Sequence, residues 1–354
     1  IRDRLRSRGL GDVYKRQELQ YAENFTVDYY EDGYKMLTTL PDSQRYLLVP
    51  EGQPVPRGLD EDVSILQEPL QNIYLVASGA MDMFASLDAV DQIRFSGQKQ
   101  ENWYIQTAKD AMAAGDMIYA GKYSKPDYEL LVSEGCDLAI ENRMITHSPE
   151  VVEMLQSFDI PVMIEYSSYE QHPLGKVEWV KFFGALTGKE AKAEEAFAEQ
   201  TEILEEVESG EKTGKTIAFF YVTSNGLIQV RQSTDYIPKL IELAGGRYIF
   251  ENLEDSGSGR STLNMQVEDF YAGAKDADIL IYNSSIDGGV TTVDELIGKC
   301  NILKDFKAVQ EGQVYCTTND MYQQSMAIGY LLQDMHTVLT DDDTAKLRYL
   351  FLLQ

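Results

Sequence analysis

From residue 73 onward the chain alternates short apolar runs with amphipathic stretches, breaks once for a single long helical pattern, and then resumes the same alternation. The first set of runs is Ile73–Ala77, Gln92–Phe95, Met117–Ala120, Asp137–Ile140 and Pro161–Ile164, with helical patterns between them. In the stretch 149–158, for example, Val151, Val152, Met154, Leu155 and Phe158 form one stripe. Strand–helix–strand alternation predicts an open sheet with helices on both faces. Residues 188–208 then place Ala193, Ala196, Phe197, Ile203, Leu204 and Val207 on one face, with good helix formers elsewhere. A helix of that length spans roughly 30 Å, the diameter of a domain. Strand runs return at Thr216–Val222, Asp278–Tyr282 and Gln313–Cys316. The predicted fold class is α/β, with two three-layer, Rossmann-like lobes joined by one long helix. The expected divisions are 18–187, the helix 188–210, and 211–354.

Two segments flank this pattern. Phe25, Val27 and Tyr29 alternate before Asp32-Gly33, with Tyr34 and Met36 after it, which predicts an N-terminal β-hairpin extension. Residues 1–17 carry six basic and two acidic side chains, in a chain whose formal net charge is −27. The string resembles the translated end of a transposon used in preparing sequencing libraries. It is therefore expected to be non-native and to contribute nothing to the fold, with the native start and any signal or anchor segment missing.

Charge and cysteine usage narrow the function. A net charge of −27 repels phosphate backbones, which excludes nucleic acid as a partner. No run approaches the roughly 18 apolar residues of a membrane span. Cys136, Cys300 and Cys316 are scattered, with no CxxC pair. No phosphate-binding loop, dinucleotide fingerprint or nucleophile elbow is present, and Ser256-Gly-Ser-Gly-Arg-Ser261 lacks the needed spacing. No catalytic residue and no cofactor is predicted, and the chain is not expected to be an enzyme.

An internal repeat links the two halves. Glu129 opens a short helix that leads to a strand, with Asp137 eight residues later; Glu268 does the same, with Asp276 eight residues later. Acids also favour first helical turns for purely local reasons. In this order along the chain, Leu75-Val-Ala-Ser-Gly-Ala80, Glu129–Ile140, Met154–Val162, Phe182–Glu190, Leu243-Ala-Gly-Gly246 and Phe306–Tyr315 resemble the periplasmic binding proteins with a helical backbone. That family serves importers of iron–siderophore, haem, cobalamin and metal ions, and the resemblance covers about residues 70–340. It implies a monomeric extracytoplasmic receptor, lipid-anchored to a bacterial membrane, holding its ligand in a cleft between the lobes. The implied partners are an ABC permease and its ATPase, docked through Glu129 and Glu268, and the implied ligand is a small metal chelate. Haem, a corrinoid or a bare metal ion are alternatives, as is a non-transport sensor or adhesin on the same fold.

Ligands of open α/β sheets sit beyond the carboxyl ends of the strands. The loops there supply Met81, Trp103, Tyr123, Arg143, Tyr166, Tyr169 and His172 from the first lobe, and Tyr221, Arg231, Tyr282 and Tyr322 from the second. Tyr104 and Arg260 lie in similar places. Flat aromatic faces suit a large ligand, and arginine forks suit its anionic groups. Only His147, His172 and His336 exist, so no metal ligand is assigned. His172 before Pro173 also suits a helix start.

Overall fold

The computed structural model describes residues 9–253, 261–284, 286–340 and 344–354. The chain forms two compact units: up to Ser168 together with Glu178–Phe197, and Tyr169–Val177 together with Ala198–Gln354.

In the first unit, β1 (Val13–Arg16), β2 (Phe25–Tyr30), β3 (Lys35–Thr39), β4 (Gln44–Val49) and β5 (Val63–Gln67) form one sheet in that order. Only the β4–β5 pair is parallel. The predicted hairpin is its β2–β3 pair. It turns through Asp32 at φ 60° and Gly33 at φ 86°, left-handed geometry that glycine and aspartate tolerate. The sheet is larger than a hairpin because β4 carries a continuous apolar run, Tyr46-Leu-Leu-Val49, that fits a strand covered on both faces.

Residues 13–17 correct an expectation: they are part of the fold. β1 pairs antiparallel with β2, Gln17 N–H donates to Val27 O at 2.8 Å, and Arg16 forks onto Asp28 at 2.6 and 2.9 Å. All four β1 side chains are exposed. The strand is held by backbone pairing to a free sheet edge, which any extended segment can do, and not by a hydrophobic signature. Residues 1–8 lie outside the described residues.

The second sheet of this unit contains β6 (Ile73–Leu75), β7 (Ile93–Ser96) and β8 (Ile118–Tyr119). After a small ribbon, β9 (Gly121–Lys122) with β10 (Lys125–Pro126), come β11 (Leu138–Asn142) and β12 (Val162–Glu165). The order is β12-β11-β6-β7-β8, all parallel. Strand order reverses between β6 and β11, the switch point at which a doubly wound sheet opens a crevice. The helices between strands are α1 (Ala80–Ser86), α2 (Gln106–Ala114), α3 (Tyr128–Ser133) and α4 (Pro149–Ser157). Leu131 of α3 and Val151 and Leu155 of α4 cover Tyr74, Phe95 and Ala139 on one face.

Helix α5 (Pro173–Thr187) fastens the N-terminal sheet. Phe25 packs edge-on against its Trp179 and Phe182, at 4.9 and 5.4 Å between ring centres. Beside them the Glu178 carboxylate, fully buried, accepts four hydrogen bonds of 2.8–3.0 Å from the N–H groups of Gln20, Tyr21 and Ala22. Lys181, 5% exposed, lies 3.0 Å from it.

The next element, α6 (Glu190–Glu208), is one unbroken helix, as its pattern predicts, and the chain passes from the first unit to the second within it. Its buried residues are Ala193, Phe197, Gln200, Leu204 and Val207, alternating four and three apart.

The second unit builds β13 (Thr216–Val222), β14 (Ile228–Arg231), α7 (Tyr236–Leu243), β15 (Arg247–Tyr248), β16 (Thr262–Met265), α8 (Val267–Ala274), β17 (Ile279–Tyr282), α9 (Val293–Lys299), α10 (Lys307–Gln310), β18 (Val314–Thr317), α11 (Ile328–Thr340) and β19 (Leu350–Leu352). Its sheet runs β16-β14-β13-β17-β18-β19, with β15 also on β13. The parallel core is β15-β13-β17-β18, and its switch point lies between β13 and β17. The antiparallel strands β14, β16 and β19 lie outside the runs read from sequence.

The repeat also takes a corrected register. Asp137, just before β11, accepts the N–H groups of Gln71 and Asn72, both at 2.9 Å, ahead of β6. Its counterpart before β17 is Asp278, which accepts from Thr216 N–H at 2.7 Å at the start of β13. Asp276 is exposed and pairs with its neighbour Lys275. α8 is two residues longer than α3, so spacing counted from the glutamate lands two residues early.

Replacing Glu178 by leucine takes from buried Lys181 the nearer of its two carboxylate partners and leaves three N–H groups without their acceptor. We expect a loss of about 3–5 kcal/mol in denaturant unfolding. Hydrogen-exchange protection should fall first in residues 20–30.

Candidate functional site

Buried polar groups are nearly always hydrogen-bonded, so those that are not mark places where something is missing. Among the described residues the orphaned buried side-chain atoms are both carboxyl oxygens of Glu141 and the hydroxyls of Ser167, Thr318 and Ser325. Each lies at or beyond the carboxyl end of a parallel strand. Glu141 is near the end of β11, and Ser167 follows β12, both in the first unit. In the second unit Thr318 follows β18, and Ser325 lies further along the same connection.

Glu141 is the most unusual of these. It shares its sheet face with Ala139 and pairs in register with Ile164, so its side chain enters the apolar layer under α3 and α4. Val76 N–H and Ala77 N–H both donate to Ile140 O, which closes the sheet tightly at this switch point. Burial raises the Glu141 carboxyl to about 8. The phenols of Tyr74 and Tyr128 lie within electrostatic reach of it. Next along the chain, Asn142 caps a short 3-10 turn by accepting from Met144 N–H at 2.9 Å, and that turn carries exposed Arg143.

The other predicted residues divide by environment. In the first unit Met81 is buried in the inner face of α1. Trp103 is buried too, its indole N–H donating to Ser96 Oγ at 3.0 Å. Both side chains pack the core of the first unit. Tyr123 is half-buried against the α3–α4 core. Tyr166 is buried, with its hydroxyl donating to Asp42 at 3.2 Å.

In the second unit Tyr282 is also a core residue, locked by a 2.7 Å hydrogen bond to Asp287, which Lys299 neutralises at 2.8 Å. His172 Nδ1 accepts Leu174 N–H at 3.2 Å, so it serves the start of α5, as its position before Pro173 suggests. Tyr169 and Tyr322 are exposed. Tyr221 and Arg231 line a hollow of about 10 Å³ with Gln229, Thr262 and Asn283. Arg231 is committed structurally. Its guanidinium lies 3.6 Å from Asp235, which caps α7, and over the Phe219 ring. Its backbone N–H and carbonyl are both bonded to the Tyr248 hydroxyl. Arg260 lies outside the described residues.

His336 is bound to Ala244 O and His147 is exposed on the turn after β11. Among the described residues no group of three or more His, Cys, Asp or Glu side chains comes together to hold a metal ion. No helix among them is long and apolar enough to cross a membrane.

The Glu141 carboxyl yields a pH prediction. Its folded value, near 8, lies above its ordinary value of 4.5. The folded state therefore holds this proton where the unfolded chain has lost it. The stability it contributes is complete below about pH 4.5 and declines as pH rises towards 8, by up to about 1.4 kcal/mol per pH unit. Glu141→Gln should flatten that decline in melting experiments between pH 5 and pH 9.

Comparison with known proteins gives the same picture from outside. Residues 77–321 match the family model described as periplasmic binding protein. An uncharacterised lipoprotein of Methanocaldococcus jannaschii is 24% identical, over 91% of this chain and 81% of its own. Among solved structures, a protein of an ABC-type Fe3+-hydroxamate transport system from Saccharomonospora viridis has a TM-score of 0.58 at 16% identity, covering 76% of this chain and 93% of that one. A periplasmic haem-binding protein of Vibrio cholerae has a TM-score of 0.59 at 14% identity, covering 75% and 98%. At those identities the likeness is one of fold. The family match runs from α1 to β18 and takes in the long helix α6; the chain therefore belongs to the periplasmic binding proteins, a family of solute carriers and not of enzymes.

Proposed function

We propose that this protein is the extracytoplasmic solute-binding component of an ABC importer and that its solute is a small metal chelate of the iron–siderophore type. The observation that carries the reading is the placement of the orphaned polar groups. Glu141 and Ser167 in one unit, and Thr318 and Ser325 in the other, lie at the strand ends where α/β sheets hold ligands. Exposed Tyr169 and Tyr322 and the cationic Arg143 lie in the same connections. Hydroxyls, phenols and a guanidinium suit a ligand that brings its own metal donors and presents oxygen atoms and flat surfaces outward. Of the proteins similar in fold, one belongs to an Fe3+-hydroxamate transport system and another binds haem.

The partners in this reading are a permease and its ATPase. Glu129 and Glu268 are both exposed at the second position of their helices, α3 and α8, and serve as one docking charge per unit. Exposed charges of this kind steer and set register more than they add affinity. The receptor works as a monomer held at the outer membrane face by a lipid anchor, in line with the lipoprotein name of its archaeal relative.

A thermal-shift screen against ferric hydroxamates, ferric catecholates, haem, corrinoids and Zn²⁺ identifies the ligand class, and a ferric chelate should give the largest rise. With that chelate, Arg143→Ala and Tyr169→Ala should each weaken binding about ten- to a hundredfold by calorimetry. The double Glu129→Arg, Glu268→Arg variant should keep its affinity and melting temperature and lose uptake in a reconstituted transporter. Normal uptake by that variant would remove the docking assignment.

A further inference from the structure

The two glutamate-bearing helices differ in what surrounds the glutamate. Val132 lies three residues after Glu129 on α3, a neighbour on the helix surface, and is 47% exposed. Met154 on α4 and Phe158 just after it are each 44% exposed. The Tyr128 and Phe158 rings lie 6.2 Å apart, joining the outer stripes of the two helices. Tyr128 and Val132 are four apart, as are Met154 and Phe158, so the four side chains form one continuous patch. Acids border it. Asp127 caps α3, Glu129 follows, and Glu150 is one turn before Met154. Glu150 lies close enough to Tyr128 to add to the effect of burial in raising its phenol.

α8 offers nothing comparable. Glu268 is followed by exposed Asp269, and Tyr271, three residues on, is packed on Phe306 at 5.7 Å. None of the large exposed apolar side chains lies on that helix.

We propose that the α3–α4 patch anchors the permease contact: an apolar permease surface bordered by arginine or lysine seats on Tyr128, Val132, Met154 and Phe158, while α8 contributes charge alone. The inference rests on the docking reading of Glu129 and Glu268 and adds that the two points are unequal. Charge decides the occupant. A second copy meeting this patch symmetrically would set acid border against acid border, in a chain of net charge −27. An anionic bilayer is repelled for the same reason, whereas a cationic protein face is attracted.

The test uses the full chain and its cognate permease–ATPase complex in nanodiscs, with no solute required. Val132→Ser with Met154→Ser alters two exposed side chains and should leave melting unchanged. We expect it to weaken binding to the complex by about tenfold or more. Wild-type binding by this variant, with binding lost in the Glu129→Arg, Glu268→Arg variant, overturns the anchor and leaves the docking reading standing. Wild-type binding by both variants removes the docking reading and the anchor with it. Dimerisation in sedimentation, or binding to phosphatidylglycerol vesicles, that disappears in the serine variant reassigns the patch to a second copy or a bilayer.

Discussion

Each α/β unit depends on one carboxylate that ties the start of its first core strand to the start of the strand beside it. Asp137 binds the N–H groups just before β6, and Asp278 binds Thr216 at the head of β13. Parallel strands have no hairpin to set their register, so a side-chain clamp at the strand starts does that work. The opposite ends of the same pairs, β6 with β11 and β13 with β17, are the switch points. Register fixed at one end therefore determines which side chains emerge at the other. Asp278 shows how firmly the clamp is held. Burial alone would raise its carboxyl, yet Lys307 at 2.6 Å and the two Thr216 donors keep it below the usual aspartate range.

Glu178 plays the equivalent role for the N-terminal sheet. An extra five-stranded layer needs a specific seat, and hydrophobic contact from Phe25 to Trp179 and Phe182 is not directional. A buried carboxylate collecting three consecutive backbone N–H groups is directional, and it fixes the chain just before β2. Tyr46 adds a second tie, donating to Val162 O at 2.8 Å, so the sheet is also bonded to the strand that leads to Ser167. The family match begins at residue 77, beyond this layer.

The site follows from that frame and from what the frame leaves unsatisfied. Glu141 is a carboxyl without a partner in an apolar layer, a cost that ordinary cores avoid. Its neighbours on the chain, Asn142 and Arg143, form the capped turn that leads into α4. α4 in turn carries half of the exposed apolar patch. Strand end, turn and outer surface are thus consecutive in one short stretch of the first unit.

Much of this was legible in the amino-acid order. Period-2 and period-3.6 patterns follow from the side-chain directions of strands and helices, so every parallel core strand but β15, together with α4 and the unbroken α6, could be read directly. The repeat around Glu129 and Glu268, and the connections beyond the strand ends, were equally visible. Local pattern could not show where a backbone would find a pairing partner, which is why β4, β5, β14, β15, β16 and β19 were absent from the reading and β1 was excluded from the fold outright. Nor could it show which residue in a connection turns inward. Trp103, Tyr282 and Met81 stand at or beyond strand ends in the sequence, and only the tertiary structure shows that all three are buried. Glu141, Ser167, Thr318 and Ser325 acquire meaning only once tertiary contacts have removed their water and supplied no substitute.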